Sequence, residues 1–328
     1  MGYALSQGVA RLRRSPGLVL MVLATNLSLA ALLALPLSNR LNADLENREA
    51  AGANLYGFDT AWWGAWHDGQ SGPARDFGPE IFGAGFAFRN LELLLKGQLP
   101  AGLFASSGEG EGETAPGTAV DATVLALGLA YLALQTFLAG GLIGVFRAPQ
   151  GGWTLRGLLH GSGFYFGRLF RVTLVALVLA SVVFRLNAPF ARWADHHAHE
   201  AVSETTALAW AFGRHAFLLL ALLLVHLLSS YARVIVVVEE RSSALLAWLS
   251  SVGFCLRQAP RVLGHYFTMV VLGAAALWIF ARIDPLPWTT GYKTQILALL
   301  VMQAFVLLRI ALRLSLLAGQ TALYRRDA

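Results

Sequence analysis

The sequence predicts an all-α integral membrane protein: a six-span transmembrane bundle with two cytoplasmic interfacial elbow helices and a partly helical extracytoplasmic loop. Three observations predict it. Of 328 residues, 56% are hydrophobic and 13% are charged, against about 25% charged in a soluble domain, and the mean hydropathy is +0.57. Six apolar runs reach the length of about 20 residues that a crossing needs: Gly17–Leu37, Ala122–Phe146, Val172–Ala188, His215–Val238, Val262–Ala281 and Thr294–Leu312. The arginines collect beyond alternate ends of those runs, as the positive-inside rule requires.

The same composition excludes several classes. A disordered chain, a collagen and an ordinary soluble enzyme do not carry this much apolar sequence. The single cysteine, Cys255, excludes an internal disulfide framework and a multi-cysteine metal site. The net charge of +6 comes almost entirely from arginine, with only Lys96 and Lys293 as lysines. These arginines are spread along the chain rather than gathered into a stripe, so they read as topological signals and no nucleic-acid partner is expected.

Residues 1–37 form a cytoplasmic tail and the first span. Its apolar run exceeds the 7–15 residues of a signal peptide and no small-x-small cleavage site follows, so it reads as an uncleaved anchor. Residues 38–121 form the long outer loop. It opens with a polar helical stretch, Asn39–Ala53, then an aromatic segment, Phe58–Trp66, then a second candidate helix, Ile81–Gly97. The Gly- and Glu-rich run Ser106–Gly117 cannot bury a core and reads as flexible. Residues 122–190 and 215–281 form two span–elbow–span units, separated by a His-rich outer loop at 191–214. Residues 282–328 supply the Asp284–Pro287 turn, the last span and a cytoplasmic tail.

With the N-terminus inside, the inner segments hold fifteen basic residues and three acids, and the outer segments hold ten basic residues and sixteen acids. Six spans return the C-terminus to the cytoplasm. The expected location is a bacterial cytoplasmic (inner) membrane, with membrane lipids and further proteins of a membrane complex as partners.

The elbows rest on an internal repeat. Offset by 90 residues, Thr154–Val172 and Ala244–Val262 are identical at six of 19 positions, including Gly163/Gly253, Phe164/Phe254 and Arg171/Arg261. Leu155, Leu159, Ser162 and Phe166 fall on one helical face, and Leu245, Leu249, Val252 and Leu256 do so in the same register. A helix lying in the inner interface explains both, its apolar stripe turned to the acyl chains or the bundle, and Arg156, His160, Arg168 and Arg257 able to meet lipid phosphates.

Leu138–Gly144 with Gly163–Arg171, and later Tyr231–Val234, Glu239–Ser242 and Arg257–Arg261, resemble an uncharacterised family of bacterial multi-pass membrane proteins. The architecture is also similar to the membrane domain that accompanies some glycerophosphodiester phosphodiesterases. The resemblance covers roughly 139–281 and implies an inner-membrane bundle with elbow helices. It carries no catalytic residues, because the soluble catalytic barrel has no counterpart in this chain.

Four polar residues, Asn26, Gln135, His226 and Gln303, fall near the middle of their spans. Such groups are either interhelical hydrogen-bond glue or the lining of a polar path, with His226 as its protonatable member. Arg309 and Arg313, one turn apart near the inner end of the last span, read as snorkelling side chains, with an anion site as the alternative. His196, His197 and His199, flanked by Asp195 and Glu200, have the donor set for Zn²⁺ or Cu²⁺; a solvated outer loop in a chain short of charges is the preferred reading. Gly140-x-x-x-Gly144 suits close helix packing. There is no His-Glu-x-x-His and no Walker loop. The expected function is a non-catalytic scaffold or accessory subunit of a membrane assembly or transport system. The alternative is a transporter or lipid-handling protein that uses the mid-span polar residues and the interfacial arginines.

Overall fold

The computed structural model describes residues 2–46, 60–74, 122–148, 153–283 and 292–327. Among them every regular element is helical: α1 (Gly2–Arg14), α2 (Pro16–Glu46), α3 (Thr60–Asp68), a 3-10 turn, α4 (Ala122–Arg147), α5 (Leu155–His199), α6 (Glu204–Val238), α7 (Ala244–Arg257), α8 (Ala259–Ile283) and α9 (Tyr292–Asp327). Six of them, α2, α4, α5, α6, α8 and α9, are long and apolar enough to cross a membrane. The reason is physical: inside a bilayer a helix satisfies its own backbone hydrogen bonds, and the Leu-, Ala- and Val-rich runs supply the apolar surface.

The chain ends pack on each other. Ser15 separates α1 from α2, and Pro16, which has no N–H to lose, opens α2. One face of α1 then lies against the last turns of α9. A Cβ on Gly8 would stand 2.4 Å from the Ser315 carbonyl, and one on Gly319 would stand 2.8 Å from the Ala4 carbonyl. The guanidinium of Arg326 sits over the Tyr3 ring at 4.7 Å. This end of the bundle is called the terminal side below, and the opposite end the far side.

Three of the six long helices run in parallel register. Arg313 donates to Gln135 Oε1 and Arg325 to the Arg147 carbonyl, both across 178 residues, so α4 and α9 keep step. Arg147 donates to the Val237 carbonyl at 3.1 Å, tying α4 to α6. On the terminal side these contacts make a charged rim. Arg11 donates to the Phe146 carbonyl, Arg147 to Glu240 Oε1 at 2.8 Å, Arg168 to the Glu240 carbonyl at 2.8 Å, and Tyr324 to Glu239. Arginines thus cap the carbonyls at the C-terminal ends of α4 and α6, where the helix dipole favours cations. Burial beside Arg325 holds the Arg11 guanidinium below its usual pKa.

The core lies behind that rim. Ile143, Tyr231, Val234–Val237, Ala247, Phe254, Val262 and Tyr324 form the main cluster, and Leu18, Leu142, Phe146, Leu158, Leu314 and Ala318 form a second. On the far side the same helices expose leucine, as at Leu129, Leu220, Leu224 and Leu300. That half suits contact with lipid tails.

Several expectations need correction. The first elbow is not a separate helix. It forms the opening turns of α5, which runs unbroken through 45 residues, about 68 Å at 1.5 Å per residue. The second elbow, α7, does stand apart from α8. The difference traces to one position: Pro260 follows the break at Gln258, whereas the offset places Phe170, a residue compatible with helix, in α5. Of the predicted stripes, open to either the acyl chains or the bundle, the leucines face outward and Ser162 is buried in the bundle. Leu155, Leu159, Leu245, Leu249 and Leu256 are exposed, while Leu158, Tyr165 and Leu169, and Ala247, Trp248 and Phe254, make the contacts. The His-rich segment 191–214 is a helical hairpin with only residues 200–203 between α5 and α6. The polar stretch after the first span continues α2 without a break as far as Glu46. The aromatic segment forms α3, whose Trp63 and Trp66 are buried near Leu37 and Leu41, with Trp66 Nε1 donating to Asp44 Oδ2 at 2.7 Å. The predicted segments Ile81–Gly97, Ser106–Gly117 and Asp284–Pro287 lie outside the described residues.

The small-residue contact also shifts. A Cβ on Gly141 would lie 2.3 Å from the Leu158 carbonyl and 2.5 Å from Ser162 Oγ, and one on Gly140 would lie 3.1 Å from Tyr165 Cβ; nothing comes within 4 Å of Gly144. The adjacent pair Gly140–Gly141, not the pair four apart, lets α4 and α5 cross closely.

Candidate functional site

A cavity of about 90 Å³ opens where the packed half of the bundle ends. That is room for a few water molecules or one small polyatomic group. Four helices build it: α2 with Val22 and Asn26, α4 with Gln135 and Ala139, α6 with His226, Ser230 and Arg233, and α9 with Arg313, Leu317 and Gln320. Gln135 lies about 18 Å along α4 from the rim at Arg147. A hydrocarbon core is about 30 Å thick, so with the rim at one edge of the bilayer this layer would fall near its middle.

Three of the four mid-span polar residues come together here. Gln135 is fixed by its neighbours. Arg313 has no acceptor, so Gln135 must turn Oε1 toward it, at 2.8 Å, and Nε2 toward Asn26 Oδ1, also at 2.8 Å. One hydrogen-bonded chain therefore links α9, α4 and α2. His226 Nδ1 meets the Tyr266 hydroxyl at 2.8 Å. With the hydroxyl donating, Nε2 carries the imidazole proton. Gln303 does not join them. It sits about 15 Å farther along α9, outside the cavity lining, with Oε1 buried and unpartnered.

Two residues that mid-span reasoning missed dominate the electrostatics. Arg233 is followed by five apolar residues, Val234–Val238, so it belongs within the apolar run and not beyond it. That was the available signal. Its Nε is buried without a partner, and its Nη2 donates to Thr173 Oγ1 at 3.4 Å. Arg313 lies level with Gln135, to which it donates. Arg313 lines the same cavity as Arg233, a second cation. Among the described residues no Asp or Glu lines the cavity. Ser230 donates its hydroxyl to the Leu227 carbonyl, so it can only accept from Gln320 Nε2, at 2.8 Å; this leaves Gln320 Oε1 buried and unpartnered.

The interfacial arginines stand elsewhere. Arg168 caps the Glu240 carbonyl and lies over the Phe164 ring at 5.1 Å. Arg156 is exposed, and Arg257 returns to its own helix at the Gly253 carbonyl, 3.3 Å away. None of the three borders the cavity.

The outer histidines occupy the last turn of α5. His196 Nε2 pairs with Glu200 at 3.2 Å. His197 Nδ1 faces the Trp193 carbonyl at 3.1 Å, its ring packed near Trp193 and Trp210. His199 Nδ1 faces the Asp195 carbonyl at 2.7 Å, and the Asp195 carboxylate is taken by Arg214 at 2.5 Å. Among the described residues no three His, Cys, Asp or Glu side chains group as a metal site.

No protein-family model matches the chain, and no curated protein or solved structure is significantly similar to it.

Proposed function

We propose that this integral membrane protein is a transporter or lipid-handling protein whose working site is the mid-membrane cavity, and that the cavity receives an anionic ligand. The observation that carries this reading is the placing of Arg233 and Arg313 on one polar cavity with no carboxylate among the described residues of its lining. Two guanidinium groups at that depth are costly unless a counter-charge joins them. A scaffold needs no such cavity. The scaffold reading draws its support from the Asn26–Gln135 and His226–Tyr266 pairs, which act as interhelical glue whether or not a ligand binds. On the arginine bias, the terminal side faces the cytoplasm of a bacterial inner membrane.

The test is the unfolding midpoint of the purified protein with added anions. A ligand at about 100 times its Kd stabilises the folded state by about 2.7 kcal/mol. At least one of inorganic phosphate, acetate and an anionic lipid stabilises the wild type, and Arg313→Gln loses the effect. If none does, the scaffold reading stands instead.

A further inference from the structure

We propose that the ligand is a phosphate group carried by an amphiphile, which enters the cavity sideways from the far-side half of the bilayer. This deepens the anion-receiving reading and rests on it.

The argument for phosphate is geometric. The guanidiniums come from two separate helices, α6 and α9. Each presents a planar fork of N–H donors and no acceptor. A carboxylate offers two oxygens in one plane and is satisfied by a single fork. A tetrahedral phosphate offers oxygens in several directions and carries one or two negative charges, so it can serve both forks at once. His226 Nε2 adds a further donor when Tyr266 donates to Nδ1. The volume of about 90 Å³ admits one such group and little more.

The argument for an amphiphile is the route. Toward the terminal side the cavity is shut by buried Ile143, Val234–Val237 and Leu323, and beyond them by the rim that joins Arg147 to Glu240 and Tyr324 to Glu239. Arg313 and His226, by contrast, occupy exposed positions. Beyond them toward the far side, the described parts of α4, α6 and α9 expose Leu129, Leu220, Leu224 and Leu300. A free ion approaching there must shed its water among leucines. An amphiphile leaves its tails along them and brings in only its head. The same surface therefore disfavours the free ion and suits the lipid.

The experiment compares four additives in dodecyl maltoside: dioctanoyl phosphatidic acid, neutral dioctanoylglycerol, octanoate and inorganic phosphate. The unfolding midpoint is titrated for wild type, Arg233→Gln, Arg313→Gln and, as a surface control, Arg156→Gln. Phosphatidic acid is expected to stabilise the wild type and the control alike, and to bind each cavity variant about tenfold or more weakly. Equal stabilisation by inorganic phosphate overturns sideways entry of a lipid but keeps the anion site. Stronger binding of octanoate overturns phosphate as the preferred group. Equal stabilisation by dioctanoylglycerol, or an unchanged effect in both cavity variants, overturns the site itself. Stabilisation by none of the four overturns this inference together with the reading beneath it. Should a variant fold poorly, Arg313→Lys is used: it keeps the charge and loses the fork, so weakened binding supports the tetrahedral fit and unchanged binding contradicts it.

Discussion

The close crossing of α4 and α5 gives a perturbation whose size follows from the coordinates. In Gly141→Ala the new Cβ would lie 2.3 Å from the Leu158 carbonyl oxygen and 2.9 Å from Leu158 Cγ. Ordinary contact begins near 3.4 Å, so the helices must part by about 1 Å locally. The obstructing atom belongs to backbone, which cannot rotate away as a side chain could. Overpacking of this kind costs about 1–3 kcal/mol, and the upper end applies here. Alanine returns up to about 1 kcal/mol through helix propensity, which leaves a net loss of about 2 kcal/mol. Gly144→Ala is the matched control: the same helix and the same substitution, with nothing within 4 Å. The assay is the unfolding midpoint in mild detergent by tryptophan fluorescence. Gly141→Ala is expected to fall by about 5 °C, while Gly144→Ala holds or rises. Equal midpoints for the two variants, or a larger loss at Gly144, would refute the crossing geometry.

The other predictions concern single groups. His226→Phe strips the Tyr266 hydroxyl of its partner in an apolar setting and should cost about 1–3 kcal/mol. Tyr266→Phe leaves a histidine that the cavity can hydrate, and should cost less; an equal or reversed order of midpoints would contradict the pairing. Burial pushes the Cys255 thiol up to about 12. A raised thiol pKa means little thiolate at neutral pH, with reactivity appearing only as the pH approaches that value. Maleimide should therefore label the folded protein slowly at pH 7 and the denatured protein fast, and equal rates would count against a buried Cys255. At the rim, Arg147→Ala removes a carbonyl cap as well as an ion pair and should cost about 1 kcal/mol. Glu240→Gln removes only a half-exposed pair and should cost less than about 0.5 kcal/mol. Chemical unfolding of both variants decides the order.

How much of this was legible beforehand depends on what each feature needs. The six spans were, because crossing a bilayer demands long apolar runs and nothing else in the sequence resembles them. Helix ends were not, since the hydrophobic pattern marks where lipid begins and not where the helix stops. Thus α5 runs from Leu155 to His199 around a predicted span of Val172–Ala188. The mid-span layer was three-quarters legible. Asn26, Gln135 and His226 meet because each sits at a similar distance from the terminal side, Gln135 and His226 on parallel helices and Asn26 on α2, which runs the opposite way. Gln303 falls outside, because its depth was judged from an apolar run that ends at Leu312 while the helix continues to Asp327. Continuation of α9 also bears on Arg313: the apolar run ends just before it, yet the helix goes on to Asp327 and sets Arg313 level with Gln135. Arg233 was hidden for a different reason. Counting charges by side treats an arginine inside an apolar run as a boundary, and only the position of Val234–Val238 behind it argues otherwise. The contact through Gly141 rather than Gly144 needed the rotation of α4, which spacing alone does not give.

The central claim is that Arg233 and Arg313 hold an anion in the middle of the membrane. Native mass spectrometry of the protein released from mild detergent tests it most directly, comparing wild type with the double variant Arg233→Gln, Arg313→Gln. The account predicts a bound anionic molecule of defined mass on the wild type and its loss from the double variant. A wild type that carries no anion, even after incubation with anionic lipid, or a double variant that carries the same molecule to the same extent, would contradict it.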